Sequence, residues 1–123
     1  MHINQLVKEA HQAARESGWW QEGKSKSPLE CHMMIVSEVA EATEEARRDN
    51  PPVWQQGPNG PIVEGSAFWD NLRKPEGELI EMADIVLRVA DYCGSKGWDL
   101  EEAIKLKMNF NATRGQRHGG KKY

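Results

Sequence analysis

The chain has 123 residues, the size of one domain, and 16 basic against 19 acidic residues give a formal net charge of -3. That balance argues against wholesale binding to nucleic acid or an anionic membrane, and no apolar run approaches the ~20 residues a transmembrane helix needs. The N-terminus has no signal-peptide apolar region, and Cys31 and Cys93 both lie within apolar helical patterns as two buried thiols, so a cytoplasmic protein is expected.

The first predicted helix runs from about Ile3 to Ser17, with Ile3, Leu6, Val7, Ala10 and Ala14 at helical spacing, and stops at Gly18. A polar linker, QEGKSK, follows. The second helix opens on a start signal of Ser27 as N-cap, Pro28 at N1 and Glu30 at N3, and runs to about Arg48, before the Asn-Pro-Pro stretch. Residues 50–75 hold five of the six prolines and read as a long loop, either a lid or an insert. Within it, Pro61–Gly65 is the only strand candidate, and Trp54 and Trp69, like Trp19 and Trp20, are not expected in a core. The third helix runs from about Gly77 to Cys93 or Lys96. The fourth starts at the N-cap Asp99, with Glu102 three residues on, and reaches about Ala112. Residues 115–123 form a basic tail. The fold class is therefore all-α: one domain, a bundle of about four helices, with oligomerisation expected to complete it because only the second and third helices are strongly apolar.

Ser37–Ala46 (SEVAEATEEA) carries four glutamates. At about 100° per residue, Glu38, Glu41 and Glu45 fall on one stripe bordering Cys31, Met34, Ile35 and Ala42, whereas Glu44 points away as a solvated charge. The third helix is apolar over most of its circumference, which predicts burial. Its charges, Glu78, Glu81, Asp84, Arg88 and Asp91, occupy a single stripe, which is either its wet edge or the lining of an interior site. Each helix thus has an acidic pair at i, i+3: Glu38 with Glu41, and Glu81 with Asp84. If the pairs face each other, four carboxylates converge, and a divalent cation relieves their repulsion. All-oxygen donors select Mg²⁺ or Mn²⁺. No histidine stands three residues after a glutamate, which excludes the Glu-x-x-His pairs of a di-iron bundle. The last helix places Lys107, Asn111 and Arg114 on one face, and from Ala103 onward there is no acidic residue. Acidic helices followed by a basic end suggest a polyanion held between metal and cations.

These motifs resemble a known family. EVAE at Glu38–Glu41, EMAD at Glu81–Asp84 and KMNFNATR at Lys107–Arg114 are similar, in order, to the Glu-x-x-Glu, Glu-x-x-Asp and Lys-x-x-x-Asn-x-x-Arg motifs of the MazG-like, all-α nucleoside triphosphate pyrophosphohydrolases. The resemblance covers Pro28 to the C-terminus. It implies hydrolysis of a (d)NTP to the (d)NMP and pyrophosphate, in a homodimer or a dimer of dimers. It also implies that Glu38, Glu41, Glu81 and Asp84 are the Mg²⁺ ligands and catalytic carboxylates, with Lys107 and Arg114 on phosphates and Asn111 on the sugar or base. Trp19 or Trp20 would stack on the base, with His11 lining the same pocket. The chain departs from compact relatives in its longer Glu41–Glu81 spacing and in Arg88, where some relatives have tyrosine, so base selectivity does not carry over. Neither a membrane nor a nucleic acid is an expected partner. The competing class is a non-catalytic helical module using its basic tail to bind nucleic acid or protein.

Overall fold

The computed structural model describes residues 2–21 and 26–114; the basic tail and most of the QEGKSK linker lie outside the described residues. The elements in chain order are α1 (Ile3–Glu16), α2 (Pro28–Arg47), β1 (Trp54–Gly57), β2 (Gly60–Val63), α3 (Glu78–Lys96) and α4 (Leu100–Thr113). The protein is mostly helical, with one small two-stranded sheet. Among the described residues no helix is long and apolar enough to cross a membrane. The chain divides into two compact units: residues 20–89 form one, and residues 1–19 with 90–123 form the other.

In the unit of residues 20–89, α2 starts where its signal lies. Ser27 is extended (φ -68°, ψ 158°) and its side chain accepts from the Glu30 N–H at 3.2 Å. Its buried residues, Cys31, Glu38 and Ala42, recur at helical spacing along one stripe. The segment expected to be a loop is instead built around an antiparallel hairpin, with Trp54 opposite Val63 and Gly57 opposite Gly60. Trp54 also pairs with Glu76 through both backbone bonds, N–H to O at 2.9 Å and the reverse at 2.8 Å. Trp54 is buried, contrary to its reading as a loop residue, and its indole N–H donates to Glu45 Oε1 at 2.8 Å. The Asn50 amide donates to the other Glu45 oxygen, also at 2.8 Å. Glu45 is thus an anchor of the hairpin on α2.

Gln55 is the most buried side chain of this unit, at 0% exposure. Its amide nitrogen donates to the carbonyls of Asp70 (2.6 Å) and Arg73 (3.1 Å), and its oxygen accepts from the Asp70 N–H at 3.0 Å. One side chain therefore does for the strandless stretch around residue 70 what a third strand would do, by satisfying its backbone groups. Gly77, at φ +120°, is required where the chain enters α3, because a Cβ there would collide with the Pro52 carbonyl.

The expectation that α3 is buried nearly all round is not met. Leu79, Met82, Val86 and Leu87 are exposed, as are Leu29, Met33, Val36 and Val39 on α2. Apolar residues at i, i+4, i+7 (Leu29, Met33, Val36) and i, i+3, i+7 (Leu79, Met82, Val86) form continuous stripes that no described residue of this unit covers.

In the other unit, α1 ends as expected at Gly18 (φ +87°), whose N–H bonds to the Arg15 carbonyl at 3.0 Å. The N-cap of α4 is Asp99, which accepts from the Glu102 N–H at 3.0 Å and from the Asn4 amide at 2.9 Å. These two bonds hold the Asp99 carboxyl below its ordinary range. Val7, Ala90, Tyr92 and Cys93 form the core, and burial pushes the Cys93 thiol up, which keeps it protonated. Trp98 stands edge-on to Tyr92 at 5.6 Å but stays half exposed.

Gly94 lets α1 approach α3 closely: an added Cβ would lie 2.5 Å from His11 Cβ. Glycine to alanine inside a helix ordinarily gains up to about 1 kcal/mol. Here Gly94→Ala is expected to lose about 1–3 kcal/mol by overpacking, seen as a lower urea midpoint at unchanged slope. A midpoint that rises would contradict the close approach.

Candidate metal centre

Helical phase on α2 turns Glu38 and Glu41 to one side, and the first two turns of α3 supply Glu81 and Asp84. All four belong to the unit of residues 20–89. The structure brings three of them together: one carboxylate oxygen each from Glu38, Glu41 and Glu81 lie within 4.8 Å of one another. Glu38 is buried, Glu81 half-buried and Glu41 exposed, so the trio runs from the core to the surface. Asp84 lies outside this trio, although its charge reaches Glu81.

Three carboxyl groups this close cannot all ionise freely. Burial and the neighbouring Glu38 and Glu41 carboxyls push Glu81 up to about 7, with the charges of Glu41 and Asp84 adding to the effect. Burial also raises Asp84, helped by the Glu38 charge and opposed by Arg88 and Lys74. Glu38 goes the other way. Burial alone would raise it, but the Arg88 side chain, with bonding from Glu81 and Glu41, holds it below the ordinary carboxylate range. Arg88 Nε donates to Glu38 Oε1 at 2.6 Å.

Glu81 Oε2 is buried and has no hydrogen-bond partner among the described residues. A buried carboxylate oxygen without a donor is costly, and the atom stands in a cluster of hard oxygen donors. A divalent cation such as Mg²⁺ or Mn²⁺ fits that donor set, whereas zinc would call for nitrogen or sulfur.

The pH dependence follows from Glu81. Its folded-state value of about 7 exceeds its ordinary 4.5, so over that window the folded protein holds a proton that the unfolded chain has lost. Metal-free stability is therefore greatest below the window and falls as pH rises through it. Because a cation needs the ionised carboxylate, the Mg²⁺-induced rise in Tm is expected to be several-fold larger at pH 8 than at pH 6. Equal shifts at both pH values would contradict the assignment of Glu81.

The remaining candidate residues fall elsewhere. Glu44, read as a solvated charge, is exposed and pairs loosely with Arg47 (3.8 Å) and Arg48 (3.6 Å). Lys107 and Arg114 both lie over the Phe110 ring, at 5.1 and 5.4 Å, and with the exposed Asn111 form a polar group at the end of α4. They belong to the unit containing α1 and α4, as do Trp19 and His11. Trp19 is exposed just after α1, and Trp20, in the unit of α2, lies under the Lys26 ammonium at 5.5 Å. His11 Nδ1 is 2.8 Å from Asp91 Oδ1, on the wall of a cleft of about 560 Å³ that Lys8, Arg15 and Trp98 also line.

No family model, characterised protein or solved structure matches this chain.

Sequence reasoning did not foresee the partner of Glu38. Arg88 was visible on the acidic stripe of α3, seven residues after Glu81, but its target lies 50 residues away in sequence. The partner of His11, Asp91, was hidden in the same way.

Proposed function

We propose that this chain is a Mg²⁺-dependent nucleoside triphosphate pyrophosphohydrolase, cleaving the α–β anhydride of a (d)NTP to give the (d)NMP and pyrophosphate. The observation that carries this reading is the trio Glu38–Glu41–Glu81 with its buried, unpartnered Glu81 oxygen. The ordered motifs, including KMNFNATR at Lys107–Arg114, support it.

Glu38, Glu41 and Glu81 would hold the ion, and Asp84, on the same helix as Glu81, would complete the ligand set. When bound, Mg²⁺ or Mn²⁺ neutralises triphosphate charge and acidifies water. The protein does the rest. Arg88 keeps Glu38 ionised and fixed. A glutamate of the trio accepts the proton of the attacking water. The resemblance of KMNFNATR gives Lys107 and Arg114 a phosphate-binding role, which their charge suits, and Asn111 a role at the sugar or base. The same resemblance gives Trp19, Trp20 and His11 roles at the base.

The deciding experiment is a panel of standard and modified (d)NTPs, assayed for pyrophosphate with Mg²⁺ and again with Mn²⁺. Release from at least one nucleotide is expected. Silence across the whole panel with both metals would overturn the reading.

The same proposal includes a homodimer or a dimer of dimers in the cytoplasm. The apolar stripes Leu29–Met33–Val36 and Leu79–Met82–Val86 support it, since exposed apolar surface of this kind marks an interface. Light scattering after gel filtration should give two or four times the 13.9 kDa of one chain, and Val36→Lys with Met82→Lys should reduce it to the monomer. A wild-type monomer at micromolar concentration would rule the oligomer out.

A further inference from the structure

Arg88 stands four residues after Asp84 and seven after Glu81, so all three lie along one stripe of α3. Its Nε–Glu38 Oε1 separation is 2.6 Å, with the two side chains only 29% and 8% exposed. A guanidinium so placed puts a fixed positive charge against one carboxylate of a trio suited to a cation. Like charges at this range repel strongly where water is scarce. A cation binding alone would have to tolerate Arg88 beside it, or break the 2.6 Å contact between two largely covered side chains. Both routes are unfavourable. They become favourable if the cation arrives with an anion that Arg88 can take, and the planar donor fork of arginine matches phosphate oxygens.

We infer that Arg88 is a coupling residue. It holds Glu38 before the ligand arrives, then exchanges Glu38 for a phosphate oxygen of the nucleotide, so that the centre takes its metal together with the polyanion and poorly on its own. This rests on the metal-centre reading above. It adds a residue outside the three sequence motifs and assigns it a role in the order of assembly. It involves no covalent step.

The test compares the full-length wild type with Arg88→Gln and Arg88→Lys, using two probes. One is Mn²⁺ alone, followed by the electron paramagnetic resonance signal of the free ion. The other is the preformed 1:1 Mn²⁺–pyrophosphate complex, followed by calorimetry. Helical content by circular dichroism confirms that each variant is folded, and Arg88→Lys keeps the charge should Arg88→Gln fail to fold. Arg88→Gln is expected to bind Mn²⁺ alone about tenfold more tightly and Mn²⁺–pyrophosphate at least about tenfold more weakly, two changes of opposite sign. Arg88→Lys should leave Mn²⁺ alone near the wild-type level and weaken the complex less than Arg88→Gln does. If Arg88→Gln weakens both probes, or alters neither, coupling is overturned and Arg88 only steadies Glu38. A wild type that binds neither probe would instead remove the metal centre itself, and the inference with it.

Discussion

Glu41→Gln is expected to lower kcat/KM for the best (d)NTP by at least about 100-fold while leaving helical content unchanged. The trio places a Glu41 oxygen within 4.8 Å of those of Glu38 and Glu81. Removing an outer partner of a metal site ordinarily costs 10–100-fold, so a direct ligand should exceed that range. The same substitution should leave the metal-free Tm unchanged or raise it, because it removes one of the charges that push Glu81 up. Activity and stability therefore move in opposite directions, and a residue needed only for folding cannot produce that pair. Turnover within threefold of wild type would sink the ligand assignment.

Gln55→Leu carries the largest expected cost in stability. The substitution keeps the side-chain volume roughly constant but strips partners from the Asp70 N–H and from the Asp70 and Arg73 carbonyls, around a site that is fully buried. Each buried polar group left unpaired costs about 1–3 kcal/mol. With some relaxation and water entry, the total is about 3 kcal/mol, or on the order of 10 °C in Tm for a domain of this size. Amide hydrogen exchange should accelerate first around residues 70–73. A fall in Tm below about 2 °C would mean that the Gln55 contacts do not hold this stretch.

Both sites show what could be read from sequence. The caps were legible because they are local: Ser27 bonds to the Glu30 N–H and Asp99 to the Glu102 N–H, each three residues on. The separation of Glu44 from Glu38 and Glu41 was legible because helical phase alone decides it. The hairpin was missed because β1, WQQG, buries a glutamine where apolar alternation predicts a hydrophobe. Its burial depends on hydrogen bonds to residues 15 and 18 positions away, which no periodicity reports. The turn chemistry, Gly57-Pro58-Asn59-Gly60, was the available signal. The exposed faces of α2 and α3 were missed for another reason. Apolar pattern shows that a face needs cover, but not whether the cover comes from the same chain.

Glu45 bears on any attempt to trim this protein. Both its oxygens are taken, by Trp54 and by Asn50. Cutting out residues 52–75 to make a smaller protein would remove the Trp54 indole from a half-buried carboxylate four residues from Glu41. With the indole bond lost and only the Asn50 bond of the two kept, that half-buried carboxylate is less well compensated, in an already crowded acidic neighbourhood. A minimal version should therefore carry Glu45→Gln from the outset, so that the excision removes the hairpin without leaving an under-compensated carboxylate beside the candidate metal centre.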